Sequence, residues 1–322
     1  MHVLPFREDL VQYLADHRLP GLTPVLQAFT DLGEIQGYIL LIALVFVAYD
    51  KRLAIRLAVL TLVTMSFNHI IKTLIANPRP FMGDGSYLQK WAVSPERAAD
   101  LATEYSTPSG HAMAAGSFYG YLVLMTRDAR WRALFVALAL LIGLSRPYLG
   151  VHYAEDVLVG WVLGAGMAIA AVRYGPRIEV RWRRMPYRGR VLLLLGLSAA
   201  VWVATWAFSV WSSGEPPSAF VSYAGLLTGV LGAQPLEARF VRFDPRSGGP
   251  LRALARYAIC VGLMFASLEL LKLGFGALAD PSSPMGHLLR FIRYASAAIT
   301  GLFLAPLLFM RLGLATRTRA DA

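Results

Sequence analysis

Apolar residues in this chain come in long runs, and its polar residues gather in the short intervals between them. A helix that crosses the hydrocarbon of a bilayer needs about 20 apolar residues, somewhat fewer where Trp, Tyr or Arg sit at the interface. On that measure the pattern predicts about nine spans, near 34–50, 53–75, 111–126, 131–146, 154–174, 190–211, 218–234, 255–277 and 290–311. The third and fourth are short, so neighbouring helices have to shield them. Ahead of the first, residues 3–30 mix Arg7, Glu8, Asp9, Asp16 and Arg18 with Leu10, Val11, Tyr13, Leu14 and Leu26. That mixture is the pattern of an amphipathic segment lying on a membrane surface. It lacks the basic start, compact apolar run and small-residue cleavage site of a signal peptide, so it is expected to be retained. The predicted fold is all-α, a polytopic membrane helix bundle. An interfacial segment covers 1–30, a helical core 31–176 and additional membrane helices 177–322.

Composition agrees with the pattern: 56% of the 322 residues are hydrophobic, 16% are charged, and the mean hydropathy is +0.51. These values exclude an ordinary water-soluble domain of this size. The 31 Lys and Arg against 20 Asp and Glu could suggest nucleic acid, but their distribution argues against such a partner. They alternate with the spans. Lys51, Arg52 and Arg56 join spans one and two, and Arg127, Arg130 and Arg132 join three and four. The stretch from Arg173 to Arg190 joins five and six, and the one from Arg239 to Arg256 joins seven and eight. The positive-inside rule makes these connections cytoplasmic. Loops 78–109, 147–151, 212–218 and 280–287 then face outward, with the N-terminus outside and the C-terminus inside. The expectation is an integral membrane protein, as of a bacterial inner membrane, in contact with membrane lipids. The single cysteine, Cys260, lies in an apolar span and reads as a small buried hydrophobe.

Three polar clusters fall at the outward ends of spans two to five. Lys72 precedes Arg79 and Pro80, Pro108-Ser109-Gly110-His111 opens span three, and Ser145-Arg146 is followed by His152 and Asp156. Ionisable groups at membrane depth are costly and mark function. Arg79 and Arg146 offer planar forks that match phosphate oxygens, and Lys72 adds a point charge. Ser109 and Gly110 stand where a helix N-terminus aims free N–H groups at an anion. Asp156, four residues after His152, lies on the same helix face. It can hold the proton on Nδ1 by accepting its hydrogen bond and leave Nε2 bare as a nucleophile. His111, at the same membrane face, can give a proton to a leaving oxygen and later activate water.

These clusters resemble the three-part signature of the type-2 phosphatidic acid phosphatase superfamily, which also includes glucose-6-phosphatases and vanadium haloperoxidases. The signature reads Lys, six residues, Arg-Pro; then Pro-Ser-Gly-His; then Ser-Arg, five residues, His, three residues, Asp. Every signature position is filled, and the resemblance covers roughly residues 30–175. It implies that Lys72, Arg79, Ser109, Gly110 and Arg146 bind phosphate, that His111 is the acid, that His152 is the nucleophile and that Asp156 orients it. It also implies a metal-independent enzyme without cofactor. The sequence agrees, since no carboxylate pair or His/Cys group outside these motifs has ligand spacing.

The leading reading is an integral membrane phosphatase that hydrolyses a lipid phosphate or diphosphate ester through a phosphohistidine, with its site on the non-cytoplasmic face. The alternative is a hydrolase of a soluble phosphate ester, because nine spans with an outward N-terminus resemble the glucose-6-phosphatase branch. An anion transporter or channel would spread charge through the membrane depth on repeated, broken spans. Here the charges gather at one end. Loop 81–107 is expected to shape headgroup choice, while Gly160 and Gly164, with Gly166 close by, suit close helix packing. His69, one turn from Lys72, reads as a core histidine. The basic stretch 177–190 reads as a topology determinant that also meets anionic lipid. The sequence names no protein partner.

Overall fold

In a computed structural model of the protein, residues 4–82, 101, 104–211 and 218–318 are described. Among them there is no strand, only an isolated bridge between Phe243 and Arg317. The helices are α1 (Asp9–Asp16), α2 (Thr23–Leu32), α3 (Ile35–Ala48), α4 (Lys51–Ile75), α5 (Gly110–Met125), α6 (Ala129–Tyr148) and α7 (Ala154–Arg184). They continue as α8 (Tyr187–Trp211), α9 (Ser218–Leu236), α10 (Gly249–Gly276), α11 (Pro284–Ile299) and α12 (Ala305–Arg311), with π-helical turns at Glu237–Val241 and Thr300–Leu304.

Among the described residues, six helices are long and apolar enough to cross a bilayer, or seven if α2 and α3, bent by 62°, form one broken span. The expected count of nine is not reached, and α5 and α6 make the difference. The 16 residues of α5 extend only about 24 Å at 1.5 Å per residue, and α6 carries Arg130, Arg132 and Arg146.

The chain divides into two compact units, residues 1–38 with 64–178 and residues 39–63 with 179–322. In the first, α1 and α2 pack on α6. One face of this N-terminal segment is covered, with Val11 and Leu26 buried against Tyr148, Leu149, Val151 and Tyr153. Each such aliphatic side chain contributes about 1.5–3 kcal/mol relative to exposure. The other face, with Leu10, Tyr13, Leu19 and Val25, stays exposed. Close approach fixes α5 on α7. A Cβ at Gly160 would lie 2.8 Å from the Ser109 carbonyl oxygen, and one at Gly164 would lie 2.3 Å from that of Met113. Gly166 has nothing within 4 Å, so the close approach belongs to the other two. Similarly, Gly143 on α6 leaves room for the Trp161 ring, whose Nε1 donates to the Ala139 carbonyl at 3.1 Å.

In the second unit, α9 and α11 pack through Gly225 and Gly229, where a Cβ would meet the Phe291 and Ala295 carbonyls at 2.5 and 2.4 Å. Cys260 is buried with Phe46, Val47, Phe243 and Phe309. Arg256, fully buried among them, donates to the carbonyls of Val47, Pro245, Ser247 and Leu314 at 2.6–3.0 Å. A buried guanidinium costs free energy unless its donors are met, and here backbone meets them.

Candidate active site

All eight residues singled out from the sequence lie in the first unit, on helix ends and the segments that join them. Lys72 sits in the last turn of α4. The chain then turns through Ala76, whose φ of 52° is left-handed, toward Asn77 and Arg79. A non-glycine residue there carries roughly 1–2 kcal/mol of strain, the kind retained where surrounding structure over-determines a turn. Asn77 anchors the turn on the facing segment, because its carbonyl accepts from the Ser106 N–H at 2.7 Å and its Nδ2 donates to Thr107 Oγ1 at 3.1 Å.

Ser109 caps α5, its Oγ accepting from the Ala112 N–H at 3.5 Å, and its own N–H donates to the Asp156 carbonyl at 3.0 Å. The second bond stitches the start of α5 to the start of α7. Gly110 admits Asn68, whose Oδ1 would lie 3.2 Å from a Cβ and whose Nδ2 donates to the Pro108 carbonyl at 3.1 Å. His111 follows in the first helical turn, its Nε2 buried without a hydrogen-bond partner. A Cβ at Gly33, between α2 and α3, would lie 3.0 Å from its ring.

Arg146, in the last turn of α6, is 2% exposed, and its Nη1 donates to Thr30 Oγ1 at 3.2 Å. Thr30 in turn pairs with Ser145 Oγ at 2.6 Å.

His152 is buried between three partners. Its Nε2 lies 3.1 Å from Arg79 Nη1, and its Nδ1 lies 3.3 Å from Asp156 Oδ2 and 3.2 Å from Ser106 Oγ. A guanidinium only donates, so the contact with Arg79 requires a bare Nε2 and places the imidazole proton on Nδ1. Asp156 is held in turn. Its Oδ1 accepts from Thr107 Oγ1 at 2.5 Å, and its Oδ2 accepts from the Tyr153 N–H at 2.9 Å and from Ser106 Oγ. Burial first, then the charges of Arg79, Arg146 and Lys72, hold His152 well below the ordinary imidazole range. The ring is therefore neutral through the mildly acidic range.

Glu104 completes the cluster. Its Oε2 lies 3.3 Å from Lys72 Nζ and 3.2 Å from Arg79 Nη2, and its carbonyl accepts from Arg79 Nε at 3.1 Å. The charge of Lys72 first, then that of Arg79, lowers its carboxyl to about 2 against the opposing effect of burial. Two cations therefore already share one anionic oxygen, the arrangement that a phosphate oxygen would satisfy.

Sequence reasoning missed Thr30, Asn68, Glu104, Ser106 and Thr107. The last two adjoin Pro108, so the nearest available signal was a run of hydroxyls beside the motif. Loop 81–107 lies mostly outside the described residues. His69 is half-buried with no partner on Nε2, and Glu155 Oε1 accepts from the Arg7 N–H at 3.5 Å.

Residues 53–179 match the PAP2 superfamily, and residues 221–317 match the transmembrane extension of PAP2 superfamily phosphatases, together more than half of the chain. Undecaprenyl-diphosphatase of Sulfolobus acidocaldarius is 26% identical over 171 residues, 52% of this chain and 78% of that protein. Lipid A 1-phosphatase of Rhizobium johnstonii is 36% identical over 64 residues, 20% of this chain and 25% of that protein. Glucose-6-phosphatase 3 of Bos taurus is 27% identical over 203 residues, covering 58% of each chain. The chain thus spans less than two thirds of the length of the last two.

Proposed function

The chain belongs to the PAP2 superfamily, and on that premise we propose that it is a membrane phosphatase that hydrolyses the phosphate monoester or diphosphate of a lipid through a phosphohistidine on His152. The observation that carries this reading is the imidazole of His152, with its proton directed to Asp156 and its Nε2 bare beside the cations of the cluster. Lys72, Arg79, Arg146 and the N–H groups following Ser109 and Gly110 hold the phosphoryl oxygens. Nε2 attacks phosphorus, the bond to the leaving oxygen breaks, and His111 protonates that oxygen. Water then attacks phosphorus, the N–P bond breaks, His111 takes the water proton, and inorganic phosphate leaves. Asp156 keeps the Nδ1 proton in place and stabilises the positive ring of the intermediate.

A lipid is favoured because two of the relatives are named for lipid substrates and because the site lies at helix ends, where a headgroup arrives without leaving the bilayer. The name of the third relative favours a sugar phosphate instead. A phosphate-release panel on purified protein separates the readings. Polyprenyl diphosphate or a phosphatidate in micelles is expected to be hydrolysed at least tenfold faster than glucose 6-phosphate, and the reverse order would overturn the lipid assignment. Among the described residues no group of three or more His, Cys, Asp or Glu is placed to hold a metal ion, and fixed cations surround the proposed phosphate position. Activity in the same panel is therefore expected to survive EDTA.

Glu104→Gln tests the phosphate position directly. Removing the carboxylate frees Lys72 and Arg79 for an incoming anion, so inhibition by inorganic phosphate is expected to strengthen, with Ki falling about tenfold, worth about 1.4 kcal/mol. A weaker inhibition would mean that Glu104 holds the two cations in place rather than competing for them.

The site is proposed to face the non-cytoplasmic leaflet, and α6 offers the ruler. Ala129 begins it at the arginine-rich end, and Tyr148 at its other end bonds Leu19 and Thr23, which flank Gly21. In a Cys260→Ala background, Gly21→Cys is expected to react with an impermeant thiol reagent in intact cells, and Ala129→Cys only after permeabilisation. The opposite pattern would move the substrate to the cytoplasmic leaflet.

A further inference from the structure

The second unit holds a cluster of cations that the proposed reaction does not use. Arg183 at the end of α7, Arg190 at the start of α8, Arg239 in the π-helical turn and Arg242 just after it line an open cavity of about 300 Å³, together with Gln234 at the end of α9. No carboxylate is among its lining residues. Glu179 pairs with Arg183 at 2.5 Å from one side, and among the described residues no ion pair engages Arg190, Arg239 or Arg242. Arg190 Nε is buried with no acceptor from the chain. Arg242 adopts the left-handed conformation, φ 54°, ψ 41°, where a side chain other than glycine or asparagine is strained. Its backbone N–H donates to the Glu237 carbonyl at 3.0 Å, and its Nε donates to that of Ala238 at 3.0 Å. The turn therefore fixes where the guanidinium stands.

Four like charges converging with a single carboxylate, that of Glu179 on Arg183, leave three guanidinium groups uncompensated and repel one another, and such an arrangement persists most readily where an anion joins it. We propose that this cavity binds the phosphate headgroup of an anionic phospholipid from the surrounding leaflet, as a site separate from the one around His152. Two observations select a membrane lipid over a free anion. Phe240, next to Arg239, and Leu192 and Leu193, within one helical turn of Arg190, are exposed apolar side chains where acyl chains would lie. The cavity also joins the two basic connections that charge distribution assigns to the cytoplasmic side, where anionic lipid attracts arginine. Gln234 adds a neutral donor suited to a headgroup oxygen.

The test uses the full chain in neutral detergent, with phosphatidylglycerol, phosphatidylcholine or inorganic phosphate added, read by native mass spectrometry and by thermal unfolding. Phosphatidylglycerol is expected to bind and raise Tm, while phosphatidylcholine does neither. An Arg190→Gln, Arg239→Gln double variant is expected to bind phosphatidylglycerol about thirtyfold more weakly, at roughly fivefold for each arginine near an anionic headgroup. Its turnover of a short-chain substrate should stay unchanged. Equal lipid binding by wild type and variant would overturn the site. An equal Tm rise with inorganic phosphate would overturn the lipid in favour of a free anion. If the double variant fails to fold, the preference of the wild type for phosphatidylglycerol over phosphatidylcholine, with the exposed Arg239→Gln alone, decides the matter by the same criteria. Lipid binding and Tm do not require His152 to be a nucleophile, so this site and the proposed reaction can fail independently.

Discussion

His152→Ala is expected to lose turnover by about four orders of magnitude or more, the scale seen when the nucleophile of a covalent mechanism is removed. The same substitution should abolish any acid-labile phosphoenzyme trapped by rapid quenching of labelled substrate. The fold should survive, because Asp156 keeps the hydroxyls of Ser106 and Thr107 and the Tyr153 N–H as partners. A Tm within a few degrees of the wild type checks this. His111→Asn separates the two histidines. An aryl phosphate with a good leaving group needs no acid for the first step, so this variant should still be phosphorylated on His152 and then turn over slowly. The pH profile carries a sign. Since burial and three cations hold His152 well below the ordinary imidazole range, loss of the neutral nucleophile should begin only well below pH 6.5. A His152→Ala protein that retains normal activity, or still traps phosphate on nitrogen, would sink the mechanism.

What could be read from the sequence here depended on spacing. Lys72 and Arg79, or His152 and Asp156, carry their relation in the number of residues between them, and the alternation of basic loops with apolar runs is what leads to the expectation of a single face for all of them. Their gathering in one unit follows from helix ends, the last turns of α4 and α6 and the first turns of α5 and α7. Thr30, Glu104 and Ser106 carry no such pattern. Each meets its partner across a separation of 25–116 residues, and a lone hydroxyl or carboxylate gives no sign of which partner packing will choose. The segment read as merely interfacial therefore also supplies Thr30, an acceptor for a guanidinium of the site. The number of spans is obscured for a different reason. Hydropathy marks α5 and α6 as apolar runs, whereas length and charge leave them short of an independent crossing, so their place depends on the helices beside them.

The same distinction between spacing and packing appears in the glycines of α7. Gly160, Gly164 and Gly166 look alike in sequence, yet only the first two meet α5. A Cβ at position 160 would come within 2.8 Å of the Ser109 carbonyl oxygen and 2.9 Å of Ala112 Cβ, distances that force backbone to move. Ser109, Gly110 and His111 ride on that backbone, and Ser109 is tied to Asp156 by the 3.0 Å bond that joins the two helices. Displacing a reacting group by about 1 Å can cost about 10²-fold in rate. Gly160→Ala is accordingly expected to lower kcat about a hundredfold, and overpacking should destabilise the protein by about 1–3 kcal/mol. It does so without removing a charge or a histidine. Gly166→Ala is the control, because nothing lies within 4 Å of its Cβ and alanine is a better helix former than glycine by about 0.8–1 kcal/mol. That variant should keep full activity and hold or slightly raise Tm. Similar activity in both variants would mean that α5 yields to the added methyl at no functional cost, and that close packing of these helices does not set the geometry around His152.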